Sequence, residues 1–504
     1  MAKKTLSKRY SGVLAHPTSF PSPYGIGDFG KGAYDFINFL TGAGQSLWQI
    51  LPLGHTGYGD SPYQAFSAFA GQPLLISPDE LIKDGLLYGD DLRDYPHFNP
   101  DHIYYGDVIP AKLRILHRSY EIFKESADLC MLKEFDVFCE HEKDWLDDYA
   151  LFMAGKDAHG GACWLEWEDD LRDPDEEIKA AWRERLADSI EYYKYIQFIF
   201  FRQWNAIRDY AHVNGIKIVG DIPIYVALDS ADVWSHPELF QLDEENLTPL
   251  KVSGVPPDAF SEDGQLWGNP LYDWEKMEQT DFAWWRSRMK ASAKLYDAVR
   301  IDHFIGVVQY YAIPYGAVTA KDGEWEKGPG KKLTDALDEA AGETKIIAED
   351  LGVFCQEVKD LLAETGYPGM KIIEFAFSGD RFNEHLPHCY DPNSVVYGGT
   401  HDNETLAGYF KPEKRQWWEL QYIADYLGAA HQSEVVDRVF RAAYGSVASV
   451  AIFQMQDVLK LDNWARMNTP GTLGENWRWR LLPGQFTDER ADYLSWLVDT
   501  FGRF

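Results

Sequence analysis

The chain has 504 residues, 45% hydrophobic and 25% charged, a globular composition long enough for one large domain or several. Eighty acidic residues against 48 basic ones leave a net charge of −32, a field that repels nucleic acid and anionic membranes and to which a neutral substrate is indifferent. Cys130, Cys139, Cys163, Cys355 and Cys389 form no close Cys-x-x-Cys pair, the N-terminus lacks an apolar signal segment, and no uncharged run approaches the roughly 18 residues of a membrane span; a disulfide framework and a zinc site are not suggested, and a cytoplasmic location is expected.

Short apolar runs, of the kind expected for strands buried on both faces, recur along the chain. In order they occupy residues 12–16, 46–53, 216–224, 298–304, 345–349, 370–377, 394–399 and 450–455. Helix-like segments separate most of them, among them 30–42, 192–214, 284–295 and 356–365. The alternation predicts a parallel sheet, and eight units predict its closure. The expected fold is therefore α/β, a TIM (β/α)8 barrel spanning 1–504 as a single catalytic domain. The stretch between the second and third runs is far too long for one crossover. Its amphipathic segments 107–125 and 175–214 predict a mainly helical insertion over about 55–200. A second insertion, about 227–297, separates the third and fourth runs. Its Lys251-Val-Ser-Gly-Val-Pro-Pro-Asp258-Ala-Phe260 and Gly264-Gln-Leu-Trp267-Gly-Asn-Pro270 stretches read as an ordered loop that shapes the pocket and supplies a lid. Little chain follows the eighth run, so no separate C-terminal β-domain is expected.

Four segments place an acidic residue where an apolar run stops: Val219-Gly-Asp221-Ile-Pro223, Val299-Arg300-Ile-Asp302-His303, Ile347-Ala-Glu349-Asp350-Leu351 and Gly399-Thr-His401-Asp402-Asn-Glu404. In a barrel these strand ends converge on one face, where catalysis sits. Carboxyl groups in pairs, one ionised and one protonated, are the equipment of glycosidic-bond chemistry. Strand residues i and i+2 point the same way, so Arg300 and Asp302 share the barrel interior, and a fixed cation there would keep an Asp302 nucleophile charged. Glu349 follows an apolar approach and would face other carboxylates; both raise the pKa, as a general acid requires. Asp402 would stabilise positive charge on the sugar ring, and His303 and His401 can donate to sugar hydroxyls. Taken singly, each signal is more often structural: an Arg-x-Asp is usually an ion pair, the Glu-Asp a helix cap with Asp350 in that role, and carboxylates at strand ends could also hold a metal. Most of the 18 Trp and 29 Tyr are expected in the core, the rest being candidate platforms for the flat C–H faces of sugars.

At these residues the chain resembles the amylomaltases, the 4-α-glucanotransferases of the α-amylase superfamily that include plant disproportionating enzyme. The four segments match the superfamily's conserved regions in order, in their amylomaltase variants. Further motifs resemble the family along nearly the whole chain: His16-Pro-Thr-Ser-Phe20 with Tyr24-Gly-Ile-Gly-Asp28, Gly59-Asp-Ser-Pro-Tyr63-Gln64, Gly254-Val-Pro-Pro-Asp258 with Trp267-Gly-Asn-Pro270, and Arg466-Met-Asn468-Thr-Pro-Gly471. The resemblance implies that Asp302 is the nucleophile of a retaining double displacement, Glu349 the general acid and base, and Asp402 the transition-state stabiliser. Arg300, His401 and Asp221 would support the first subsite, and Tyr63, Asp258, Trp267 and Asn468 would line the donor and acceptor subsites, with His303 beside them. Implied partners are maltooligosaccharide, amylose or starch-derived glucan and glucose, with cyclic glucans as side products and neither metal nor cofactor. The chain departs from the family at Ala259, where the lid often carries an aromatic residue. An α-1,4-glucan hydrolase on the same barrel is the alternative.

Overall fold

The computed structural model describes residues 8–167, 170–257, 261–353 and 355–504. The strands among them are β1 Tyr10–Leu14, β2 Leu47–Gln49, β3 Lys217–Ile222, β4 Lys251–Val255, β5 Gln265–Pro270, β6 Ala298–Ile301, β7 Gln309–Pro314, β8 Glu324–Lys327, β9 Lys345–Ala348, β10 Gly369–Ile372, β11 Ser394–Tyr397 and β12 Val450–Gln454. Eight of these form one parallel sheet in the order β10-β11-β12-β1-β2-β3-β6-β9. Its two edges meet where the Ala348 N–H donates to the Pro368 carbonyl at 3.0 Å, so the sheet comes round as a barrel. All eight apolar runs become barrel strands, mostly shorter than the runs themselves. The sixth shows why. After Ile372 the chain coils into a 3-10 turn, Ile373–Phe375, that is buried as the strand is, and burial alone does not distinguish the two. β1 and β2 approach closely at Gly12, where a Cβ would lie 2.5 Å from the Leu47 carbonyl oxygen.

Between β2 and β3 lie the long helices Tyr105–Ser126, Leu129–Ala158, Glu176–Arg185 and Ala187–Val213. Phe123, Phe135, Tyr195 and Phe198 pack edge to face and tilted among three of them. The last helix ties this layer to the barrel: Trp204 lies against Trp48 and Phe29, and the Gln197 side chain accepts the Gly71 N–H at 2.7 Å and donates to its carbonyl at 2.9 Å. Trp164 and Trp167 are core residues here, fully or almost fully buried.

The segment expected to be an ordered loop is partly sheet. β4 and β5 pair antiparallel, and β7 and β8 extend them into a second sheet of order β5-β4-β7-β8. Pro256, Pro257 and Gly264 fall in the connection rather than in the strands, which is where breakers belong. β4 and β5 arrive before β6 and β7 and β8 after it, so two barrel connections build this sheet jointly.

Candidate active site

Parallel strands deliver their C-terminal ends to one face. β3 and β6 pair with Asp221 beside Arg300. Nη1 of Arg300 donates to both Asp221 oxygens at 2.9 and 2.7 Å, and its Nη2 lies 2.7 Å from Asp302 Oδ1. Burial opposes the charge on Arg300, yet Asp221 and Asp302 outweigh it and hold the guanidinium protonated. Burial pushes Asp221 upward, with Arg300 pulling the other way. The Asp302 side chain keeps 28% of its surface open while Arg300 keeps 4%, so the cation is sealed behind the carboxylate and the carboxylate is open to solvent.

Glu349 stands one residue beyond β9. Its Oε2 accepts the His303 N–H at 2.7 Å and its Oε1 the Leu351 N–H at 2.9 Å. Burial raises its pKa to about 8; Arg300 resists this and the negative charge of Asp302 adds to it. His303 has φ +52°, the left-handed region that a side chain adopts at a cost of about 1–3 kcal/mol. This turn follows Asp302 directly and aims the His303 N–H at Glu349. Burial lowers the His303 ring to about 4, leaving it neutral, and Nε2 has no hydrogen-bond partner among the described residues. Trp267, on β5, meets that ring edge to face at 4.8 Å.

Asp402 lies beyond β11. Its Oδ1 accepts from Asn468 Nδ2 at 2.6 Å, and its Oδ2 is 3.4 Å from His401 Nε2. Burial lowers the His401 pKa, so this contact is with a neutral imidazole. Arg466 donates to the carbonyls of Asp402 and Asn468, and the Asn468 N–H donates to the His401 carbonyl at 3.1 Å. Tyr63 stacks on His401 at 5.2 Å, and its hydroxyl donates to Asp221 Oδ2 at 2.9 Å. One linked set of contacts therefore runs from Asp402 through His401, Tyr63, Asp221 and Arg300 to Asp302. Asp258 and the Ala259 departure lie outside the described residues. Asp350 is not a helix cap: it accepts the Met370 N–H at 2.7 Å and fastens the end of β9 to β10, while Cys355 stands at the N-terminus of the next helix, Gln356–Thr365.

The profile of a family described as 4-alpha-glucanotransferase matches residues 15–485. The chain belongs to that family. The 4-alpha-glucanotransferase of Synechocystis sp. is 47% identical over 500 residues, 99% of each chain. That of Clostridium butyricum is 47% identical over 490 residues, 97% of this chain and 99% of the other. A solved amylomaltase from Streptococcus agalactiae in complex with acarbose superimposes with a TM-score of 0.94 at 40% identity, covering 98% of this chain and 100% of that one.

In this glucanotransferase two contributors carried no assigned role in the sequence. Trp477 tilts against both Tyr63 and His401 at 5.9 Å, and Tyr225 lies 6.4 Å from His303 and 6.3 Å from Trp267. Tyr225 is four residues past Asp221 and could have been found from that spacing; Trp477 stands in an irregular stretch with φ +65° and offered no local signal. Among the described residues no helix is long and apolar enough to cross a membrane.

Proposed function

We propose that the enzyme transfers α-1,4-glucan segments to the 4-hydroxyl of glucose or another maltodextrin by retaining double displacement, Asp302 acting as nucleophile, Glu349 as acid and base, and Asp402 as transition-state stabiliser. One arrangement carries the reading: Asp302 paired with a sealed Arg300, beside a Glu349 whose burial keeps its proton near neutral pH. An Asp302 oxygen attacks the anomeric carbon as the bond from that carbon to the leaving O4 breaks, and Glu349 gives its proton to O4. The Glu349 carboxylate then takes the proton of an acceptor 4-hydroxyl, whose oxygen displaces Asp302. Asp402, fixed by Asn468, offsets positive charge on the ring in both steps.

Tyr63, His401, Trp267, His303 and Asn468 line the glucan path in this reading, with Arg300 and Asp221 holding the nucleophile. That the Streptococcus agalactiae amylomaltase was solved in complex with acarbose supports an oligosaccharide ligand for this chain. Cyclic glucans form when the acceptor hydroxyl belongs to the donor's own far end. A cytoplasmic location fits the five unpaired cysteines. Incubation with maltotriose tests the function: glucose plus a ladder of longer maltodextrins at constant total reducing ends is expected, whereas rising reducing ends without longer products would replace transfer by hydrolysis.

A further inference from the structure

Behind the loop that carries Asp402 lie two carboxyl groups that the chemistry above does not use. Glu374, in the turn after β10, is 3% exposed, and Asp457, just beyond β12, is 1% exposed. They come from the strands on either side of β11, whose end leads into the Asp402 loop. The Glu374 N–H donates to the Gly398 carbonyl at 3.1 Å, and its carboxyl packs against Gly399, where a Cβ would sit 2.7 Å from Oε1. Asp457 Oδ1 accepts the Leu406 N–H at 2.7 Å. The loop is thus held at Gly398 by the Glu374 backbone, with the Glu374 carboxyl packed on Gly399, and at Leu406 by the Asp457 carboxyl. Between the grips it is short and self-braced: Asn403 Oδ1 accepts the Thr400 N–H at 2.9 Å, and Thr400 Oγ1 accepts the Asp402 N–H at 3.4 Å. Each carboxyl keeps one oxygen without a hydrogen-bond partner among the described residues, Glu374 Oε1 and Asp457 Oδ2.

We infer that Glu374 and Asp457 are positioning residues that hold Asp402 in its working place through the loop from Gly398 to Leu406. This rests on the reading of Asp402 given above. Burial raises both carboxyls, Asp457 to about 7. Asp457 and Glu404 add negative charge opposite Glu374, against a weaker pull from Arg466 and Arg415. Burial therefore disfavours charge on Glu374, and the amide of glutamine reproduces the shape of its carboxyl without a charge.

The test is a double-mutant cycle with Asp402. Glu374→Gln, Glu374→Ala, Asp457→Asn and Asp457→Ala are made alone and on Asp402→Asn, with kcat and KM for disproportionation and thermal melting measured for each. Asp402→Asn alone must lower kcat; if it does not, the role given to Asp402 fails, and that outcome is read independently of the grip. Displacement of a reacting group by about 1 Å costs on the order of 100-fold. The alanine variants are therefore expected to lose on the order of 100-fold in kcat with KM nearly unchanged, the amide variants to stay within about threefold, and the alanine loss to vanish on Asp402→Asn. An equal alanine loss with and without Asp402, or folded amide variants as impaired as alanine, would overturn the inference. Should an alanine variant not fold, the amide variants and the Asp457 arm of the cycle decide it.

Discussion

The Glu349 carboxyl is held by the backbone N–H of His303, the residue that follows Asp302. The proposed acid and the proposed nucleophile are thus registered against each other through one hydrogen bond and one strained turn, with no long side chain in between. The same bond that places Glu349 also favours its ionised form, yet burial wins and the group stays protonated to about pH 8.

That balance gives a pH profile. A general acid must carry its proton, so kcat/KM is expected to fall above about pH 8 as free-enzyme Glu349 ionises. Glu349→Gln should lower kcat/KM by about 10²- to 10⁴-fold. Because the folded pKa is raised, the folded state holds more protons than the unfolded one between about 4.5 and 8, and stability drains away as pH rises through that window. Glu349→Gln removes this loss and should melt higher than the parent at pH 8, a comparison that calorimetry makes directly.

Asp302→Asn leaves the shape and removes the proposed nucleophile. Turnover of maltotriose should drop by roughly 10⁴-fold, the scale of losing a group that forms the covalent bond. A rapid quench of the parent with labelled donor should trap a glucosyl ester on Asp302, and none in the variant.

Arg300 serves two carboxylates from a buried position. Arg300→Ala strands Asp221 without its cation and should destabilise the fold by about 3–5 kcal/mol, read from denaturant unfolding. Arg300→Lys restores charge but cannot span both acids with one planar group, so it should recover stability better than activity.

Where a bound cation would be needed to hold Asp221 and Asp302 together, the guanidinium already sits. Dialysis against a chelator is expected to leave maltotriose turnover unchanged; a loss restored by a divalent ion would contradict that assignment.

Gly399→Ala should destabilise by about 1–3 kcal/mol, because the new Cβ meets Glu374 Oε1 at 2.7 Å and Asn403 Cβ at 2.9 Å. Denaturant midpoints of parent and variant measure it.

Much of the barrel and of the acid cluster was legible in the sequence because both obey short periods. The i, i+2 spacing alone put Arg300 beside Asp302, and the apolar approach of Ile346, Ile347 and Ala348 announced the raised Glu349. What stayed hidden depends on partners distant in the chain. β8 reads Glu-Trp-Glu-Lys and is too polar to declare itself; it is a strand because β7 lies beside it. Asp350 looked like a cap because its partner, the Met370 N–H, is 20 residues away. Trp477 reaches Tyr63 only through the fold.

The second sheet joins the connection before β6 to the connection after it, strand against strand through β4 and β7. Neither connection can then be lengthened, shortened or exchanged alone without leaving the other's backbone groups unpaired. Across descent the two should be inherited as one block, so a graft intended to change this enzyme's substrate range must carry residues from both sides of β6.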